Sequence, residues 1–290
     1  MDKLVISELS KTYENGVKAL QNISLEIPKG MFGLLGPNGA GKSSLMRTIA
    51  TLQEADKGSI HLGKIDGIRQ KMKLRKVLGY LPQEFGLYPK VSAEQLLHHL
   101  AVLKGITAYK ERKRLVYSLL HKVNLLEVRK QRLGGFSGGM KRRFGIAQAL
   151  LNHPKLLIVD EPTAGLDPVE RHRFFNLLSE ISEQTIVILS THIVDDVKEL
   201  CTQMAIIKEG RIVLQGSPKN FINELKGKLF QKSIPKRELP AYKENYHVIS
   251  DRMFLGETMI HVISDVPLSN GFQALEVSLE DVYMYQILSA

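Results

Sequence analysis

The sequence predicts an α/β fold: a mixed sheet covered by helices, a helical block inserted into it, and a small α/β domain appended. Three observations predict it. Short apolar runs alternate with segments of helical periodicity, the arrangement that builds sheets with parallel strands. A glycine-rich stretch at residues 36–43 joins one such run to a helical segment. Leucines recur at helical spacing between residues 91 and about 151.

Residues 4–6 and 23–27 alternate as short strands. Residues 31–35 form an apolar run that enters the glycine-rich turn, and 42–51 continue as a helix. Another short strand is expected at 77–81. In the helical block Leu96, Leu97, Leu100 and Leu103 stand at helical spacing, as do Leu115, Leu119 and Leu120. Strands return at 156–159, 185–190 and 204–207. Between the first two, Phe174, Leu177, Leu178 and Ile181 mark a helix. A hairpin over 205–214 turns at Glu209 and Gly210. Composition shifts after Ser217-Pro218. A short helix to Leu225 follows, then alternating segments at 246–249 and 259–263. Ser278 can cap a last helix, with Asp281 three residues on. The expected division is 1–217, with its helical subdomain at about 86–155, and an accessory domain at 218–290.

The bulk properties narrow the function classes. A chain of 290 residues buries roughly 75% of the surface its unfolded form exposes. With 43% hydrophobic and 24% charged residues it reads as globular rather than disordered. No apolar run approaches the ~20 residues that span a bilayer. The start, Met1-Asp2-Lys3-Leu4, has no leader pattern. The single cysteine, Cys201, cannot form an internal disulfide, and it fits a reducing cytoplasm as a small buried hydrophobe. The net charge is +10, with basic clusters at 69–76, 110–114, 129–132 and 141–143. Such charge suits nucleic acid, an anionic membrane surface or an acidic partner. The clusters lack the interleaved aromatics of single-strand binders and read as solvated helix faces.

Chemistry enters at Gly36-Pro37-Asn38-Gly39-Ala40-Gly41-Lys42-Ser43, which fits G-x-x-x-x-G-K-[ST]. Glycines let backbone N–H groups turn inward on phosphates, and the helix that follows offers its positive end to anions. Lys42 can reach the outer phosphates and the Ser43 hydroxyl can hold magnesium. Ser44 joins the nucleotide-contacting set. The fold is therefore a phosphate-loop NTPase core, with a nucleoside triphosphate and Mg2+ as its expected ligands. A second site follows the apolar run 156–159, which ends in Asp160 and Glu161. A buried strand should not end in adjacent acids unless something offsets their cost. Magnesium on Asp160 does so, and Glu161 is then placed to polarise the attacking water.

A further turn, Phe136-Ser137-Gly138-Gly139-Met140, opens a helix with Ser137 as its N-cap and makes a second anion-facing site. One nucleotide needs one cradle, so a second cradle suits the nucleotide of another subunit. Here the chain resembles the nucleotide-binding subunits of ATP-binding cassette (ABC) transporters. Residues 136–140 resemble the signature Leu-Ser-Gly-Gly-Gln. Tyr13 matches the aromatic residue that stacks on adenine, and Gln83 the glutamine that joins magnesium, water and the membrane partner. Ala164-Gly165-Leu166-Asp167 resembles the loop that crosses the dimer interface, and His192 the histidine at the terminal phosphate. The likeness covers about residues 1–217. Phe136 and Met140 depart from the signature, and methionine cannot make glutamine's hydrogen bond.

The resemblance implies an ATPase in which Glu161, His192, Lys42 and Gln83 are catalytic and Ser43, Gln83 and Asp160 hold the metal. Tyr13, residues 36–44, Ser137, Gly138, Gly139 and Asp167 would contact nucleotide. It implies a head-to-tail homodimer, or a heterodimer with a similar subunit, around two MgATP. It implies a separate transmembrane permease subunit, met near Gln83 and residues 84–90, and a place on the cytoplasmic face of the membrane. Residues 137–143 and 278–283 are similar to the bacterial ABC-2 class, which implies export. The competing reading is a non-transport cassette acting on nucleic acid or the ribosome. A single cassette without a long heptad insertion speaks against it, so nucleic acid is not the expected partner.

Overall fold

The computed structural model describes residues 3–163, 166–254 and 256–288, except the Phe254 side chain. Met1 and Asp2, and Ala164 and Gly165 of the loop at 164–167, lie outside them. The chain runs β1 (Leu4–Thr12), β2 (Lys18–Ile27), β3 (Gly30–Leu35), α1 (Lys42–Ile49), β4 (Lys57–Leu62), β5 (Ile65–Asp66), α2 (Lys71–Lys76) and β6 (Leu78–Leu81). Three helices follow: α3 (Ala93–Leu103), α4 (Tyr109–Lys122) and α5 (Gly138–Ala149). Next come β7 (Leu156–Asp160), α6 (Pro168–Ser182), β8 (Ile186–Thr191), α7 (Val194–Leu200), β9 (Gln203–Lys208) and β10 (Arg211–Gly216). The last stretch holds α8 (Pro218–Glu224), β11 (Leu229–Ile234), α9 (Leu239–Asn245), β12 (His247–Phe254), β13 (Glu257–Ile263), β14 (Gln273–Ala274) and α10 (Leu279–Leu288).

The central sheet has the order β10-β9-β3-β8-β7-β6, parallel except for the antiparallel edge pair β9 and β10. Its apolar runs are continuous because both faces are buried. Leu157, Val159, Val187 and Leu189 face the core shared with the helical block and α6. Leu156, Ile158, Ile186 and Ile188 face the core shared with α1 and the N-terminal strands. The hairpin between β9 and β10 turns at Glu209 (φ 48°) and Gly210 (φ 74°), the positive pair that the tight primed turn requires.

Two parts of the fold differ from the sequence expectation. The N-terminal strands form their own antiparallel sheet, β2-β1-β4-β5, and β1 is longer than residues 4–6. Glu8 sits at φ 51° and the pairing register shifts there, which breaks the two-residue alternation. The region after residue 217 keeps a sheet and a small core around Ile234, Ile260 and Val262. Yet its helices α8 and α10 also send Phe221, Leu279 and Val282 into the main core. Ser278 and Asp281 cap α10 reciprocally, and Asp281 Oδ1 lies 2.9 Å from His261 Nδ1 on β13.

Cys201 is buried at the end of α7, and that burial pushes its thiol pKa far up, with Asp196 adding to the shift. Iodoacetamide should therefore leave it unlabelled in the native protein at mildly alkaline pH and label it after unfolding. Native labelling at the rate of a peptide thiol would contradict this placement.

Candidate functional site

Parallel strands deliver the predicted residues to one edge, because the carboxyl ends of such strands share one side of the sheet. β3 leads into the phosphate loop, β7 ends at Asp160 and Glu161, β8 leads to His192, and β6 leads to Gln83. The loop is built on backbone that only glycine tolerates well. Gly39 and Gly41 have φ of 81° and 108°. A Cβ on Gly41 would come within 2.5 Å of the Ala19 carbonyl, whereas one on Gly39 would meet nothing within 4 Å. α1 then begins without a side-chain cap and without an acid in its first turn. Its N-terminal amides stay available to an anion, in contrast to those of α3 and α6, which Ser92 and Asp167 cap, while at α5 Ser137 takes only the Met140 amide.

Lys42 is buried, and its ammonium donates to the Gly36 and Pro37 carbonyls at 2.7 and 3.0 Å. Burial lowers its pKa, and Glu161 and Asp160 oppose that shift. Glu161 is the hub of the site. Its backbone sits at φ 45°, a left-handed conformation costly for a residue with a Cβ, and its N–H bonds the Ser190 carbonyl at 2.9 Å. Gln83 Nε2 donates to Glu161 Oε2 at 3.1 Å, while His192 Nδ1 and Lys42 Nζ lie 3.3 and 3.7 Å from Oε1.

Asp160 is 3% exposed. Burial raises its pKa, the Glu161 charge adds to this, and the Ser190 and Ser43 hydroxyls and Lys42 pull the other way. Among the described residues its Oδ1 has no hydrogen-bond partner. An orphaned buried carboxylate oxygen beside the Ser43 hydroxyl fits a hard cation, and magnesium is the one that accompanies phosphates.

The cavity over these groups measures about 710 Å³, within the range of small-ligand sites. Tyr13, Asn38, Gly39, Gly41, Lys42, Ser43, Ser44, Gln83 and Glu161 line it. The Tyr13 hydroxyl meets Ser44 Oγ at 2.9 Å and donates to Gln53 Oε1 at 3.1 Å. Sequence reasoning missed a second wall, made by Val17, Ala19 and Gln21 of the β1–β2 hairpin and by Glu209 and Gly210. Gly210 N bonds the Ala40 carbonyl at 2.8 Å, so the β9–β10 turn props the phosphate loop. Its only sequence signal was the Glu209-Gly210 turn pair.

Ser137, Gly138, Gly139 and Asp167 do not line this cavity. Ser137 Oγ accepts from Met140 N at 3.2 Å, and a Cβ on Gly138 would meet nothing within 4 Å. Also unforeseen was Asp196, fully buried, whose Oδ2 accepts from Thr163 and Thr191 at 2.7 and 3.1 Å and whose Oδ1 lies 2.6 Å from Arg171. It ties together the segments after Glu161, after Asp167 and before His192. Asp196→Ala should lower the unfolding free energy by about 1–3 kcal/mol, because it leaves the buried Thr163 and Thr191 hydroxyls without their acceptor. Urea unfolding measures this, and a loss below about 1 kcal/mol would mark these bonds as solvent-exposed ones.

Comparisons with known proteins point to one family. The ABC transporter family pattern matches residues 20–164. An ABC transporter ATP-binding protein of Bacillus subtilis is 32% identical over 97% of this chain and 98% of its own length. A Nod factor export ATP-binding protein of Rhizobium etli is 36% identical over 78% of this chain and 72% of its own. Among solved structures, a dimeric bacterial ABC transporter cassette superposes with a TM-score of 0.67 at 25% identity, covering 74% of this chain and 98% of that one. With the phosphate loop, the acidic strand end and the second capped turn in place, the chain belongs to the ATP-binding subunits of ABC transporters.

Proposed function

We propose that this ATPase subunit works as one half of a head-to-tail pair, with each nucleotide held between one chain's phosphate loop and the other chain's Ser137–Gly139 turn. The observation that carries it is the separation of two anion-facing helix starts in one chain, only one of which lines the cavity. The dimeric form of a related cassette supports it.

Tyr13 stacks on the base. The amides of the loop and of α1 take the phosphates, with Lys42 on the outer ones. Ser43, Asp160 and Gln83 would hold magnesium, which supplies charge neutralisation between the outer phosphates. Glu161 orients and polarises the attacking water, and His192 contacts the terminal phosphate. Ser137, Gly138 and Gly139 close the site from the partner, and Asp167 crosses to it. Loss of the terminal phosphate removes the link between the halves and loosens the pair. The groove along Gln83, Glu84 and Phe85, bordered by Lys141 and Arg142, supports docking of a transmembrane subunit at residues 84–90. The exporter named among the relatives supports export. We assign the ATPase to residues 1–217 and a stabilising role to 218–290, whose helices pack into the main core.

Mixing two inactive variants tests the composite site. A Lys42→Ala chain and a Ser137→Arg chain each spoil both sites of their own dimers. A mixed pair keeps one site intact, and random pairing makes about half the dimers mixed. Phosphate release should reappear on mixing. Activity that never exceeds the sum of the separate variants would sink the head-to-tail arrangement.

A further inference from the structure

The geometry points to Glu170 as a positioning residue that locks the Ser137–Gly139 turn to Asp167, so that both reach the partner chain as one rigid edge. The inference rests on the head-to-tail arrangement proposed above.

Glu170 stands in the first turn of α6, where its N–H bonds Asp167 Oδ1 at 2.9 Å. Its side chain crosses to α5. A Cβ on Gly139 would collide with its carboxylate, with Cγ and Cδ each at 2.9 Å. Arg143, on α5, lies 3.3 Å from Oε2, and Arg173, on α6, donates to Oε1 at 2.9 Å. The Glu170 and Arg143 side chains are only 17% and 10% exposed. A carboxylate behind a helix start draws on the same positive field that a phosphate in front would use. The two arginines neutralise it, so it can hold the turn without competing for it.

The contrast between neighbouring glycines gives the direction. Gly139 is filled from behind by Glu170, whereas a Cβ on Gly138 would meet none of the described residues within 4 Å. Met140 packs against the main core, so among the described residues polar anchoring of this turn falls to Ser137 and Glu170. A surface fixed before association loses less entropy on binding than one fixed during it. Glu170 therefore acts on dimer formation and leaves the phosphate loop of its own chain untouched.

The test uses the full chain with Glu161→Gln, which slows turnover, as parent. ATP-driven dimerisation is read by analytical ultracentrifugation, and ATP binding to the monomer by fluorescent-nucleotide titration. Glu170→Gln keeps the shape and removes the charge. It should weaken dimerisation about tenfold, within the range of coupling residues, with monomer affinity for ATP unchanged. In the otherwise wild-type chain, its ATPase activity should recover as protein concentration rises, which a loss of stability alone would not produce. Gly139→Ala should weaken dimerisation too, and Gly139→Ala with Glu170→Ala should be milder than the sum of the single changes. Full-strength dimers of Glu170→Gln, or additive effects in the double variant, overturn the proposal alone. A parent that never dimerises with ATP overturns the head-to-tail arrangement and this proposal with it.

Discussion

Glu161→Gln should bind ATP with near-normal affinity, release phosphate about a hundredfold to ten-thousandfold more slowly, and accumulate as an ATP-bound dimer. The change is nearly isosteric, so the strained turn at Glu161 and its N–H bond to the Ser190 carbonyl can persist. Glutamine still has an oxygen to face Lys42 and His192, which approach Glu161 Oε1 at 3.7 and 3.3 Å. What it lacks is the charge that polarises a water. Removing that carboxylate also removes negative charge beside Lys42 and beside the bound phosphates, so affinity should hold. Phosphate release and size-exclusion chromatography with ATP check both halves of the expectation. Hydrolysis at the wild-type rate would take Glu161 out of its assigned role.

The parts of this site that the sequence made legible share one property: they are local. The loop at 36–43 carries its chemistry in eight consecutive residues, and the apolar run before it and the helix after it place it. Asp160 and Glu161 betray themselves as acids ending a buried strand. The missed parts are long-range. Nothing near Ala19 or Gln21 announces that the β1–β2 hairpin will meet the β9–β10 turn beside the phosphate loop. Asp196 and Glu170 read as ordinary helix acids, and only packing shows one fully buried and the other wedged against Gly139. The N-terminal sheet was hidden for a related reason. Its long strand β1 carries a bulge at Glu8, and a register shift erases the alternation on which strand recognition depends.

Lys42→Ala should cut stabilisation by MgATP to about half or less while changing the melting temperature of the nucleotide-free protein little. In the free protein, burial lowers the Lys42 pKa, so its charge is held at a cost that Glu161 and Asp160 only partly offset. A base with a lowered folded pKa binds fewer protons folded than unfolded between that pKa and the ordinary 10.5. The Lys42 contribution to stability therefore rises with pH through that window. Asp160 is the mirror case, because its raised pKa makes its contribution fall as pH rises through the window above 3.8. Both shifts describe a site whose charges await compensation from a ligand. Bound phosphates supply it for Lys42. At a hundredfold excess of ATP over its dissociation constant the wild type should gain about 2.7 kcal/mol. Without the ammonium, water in the open cavity can satisfy the Gly36 and Pro37 carbonyls, so the fold survives. The phosphates, however, lose a charge-assisted donor worth about 1.5–3 kcal/mol. Thermal melts with and without MgATP, taken at equal nucleotide, separate the two effects. An undiminished MgATP shift in Lys42→Ala would show that the cradle holds its ligand without this lysine.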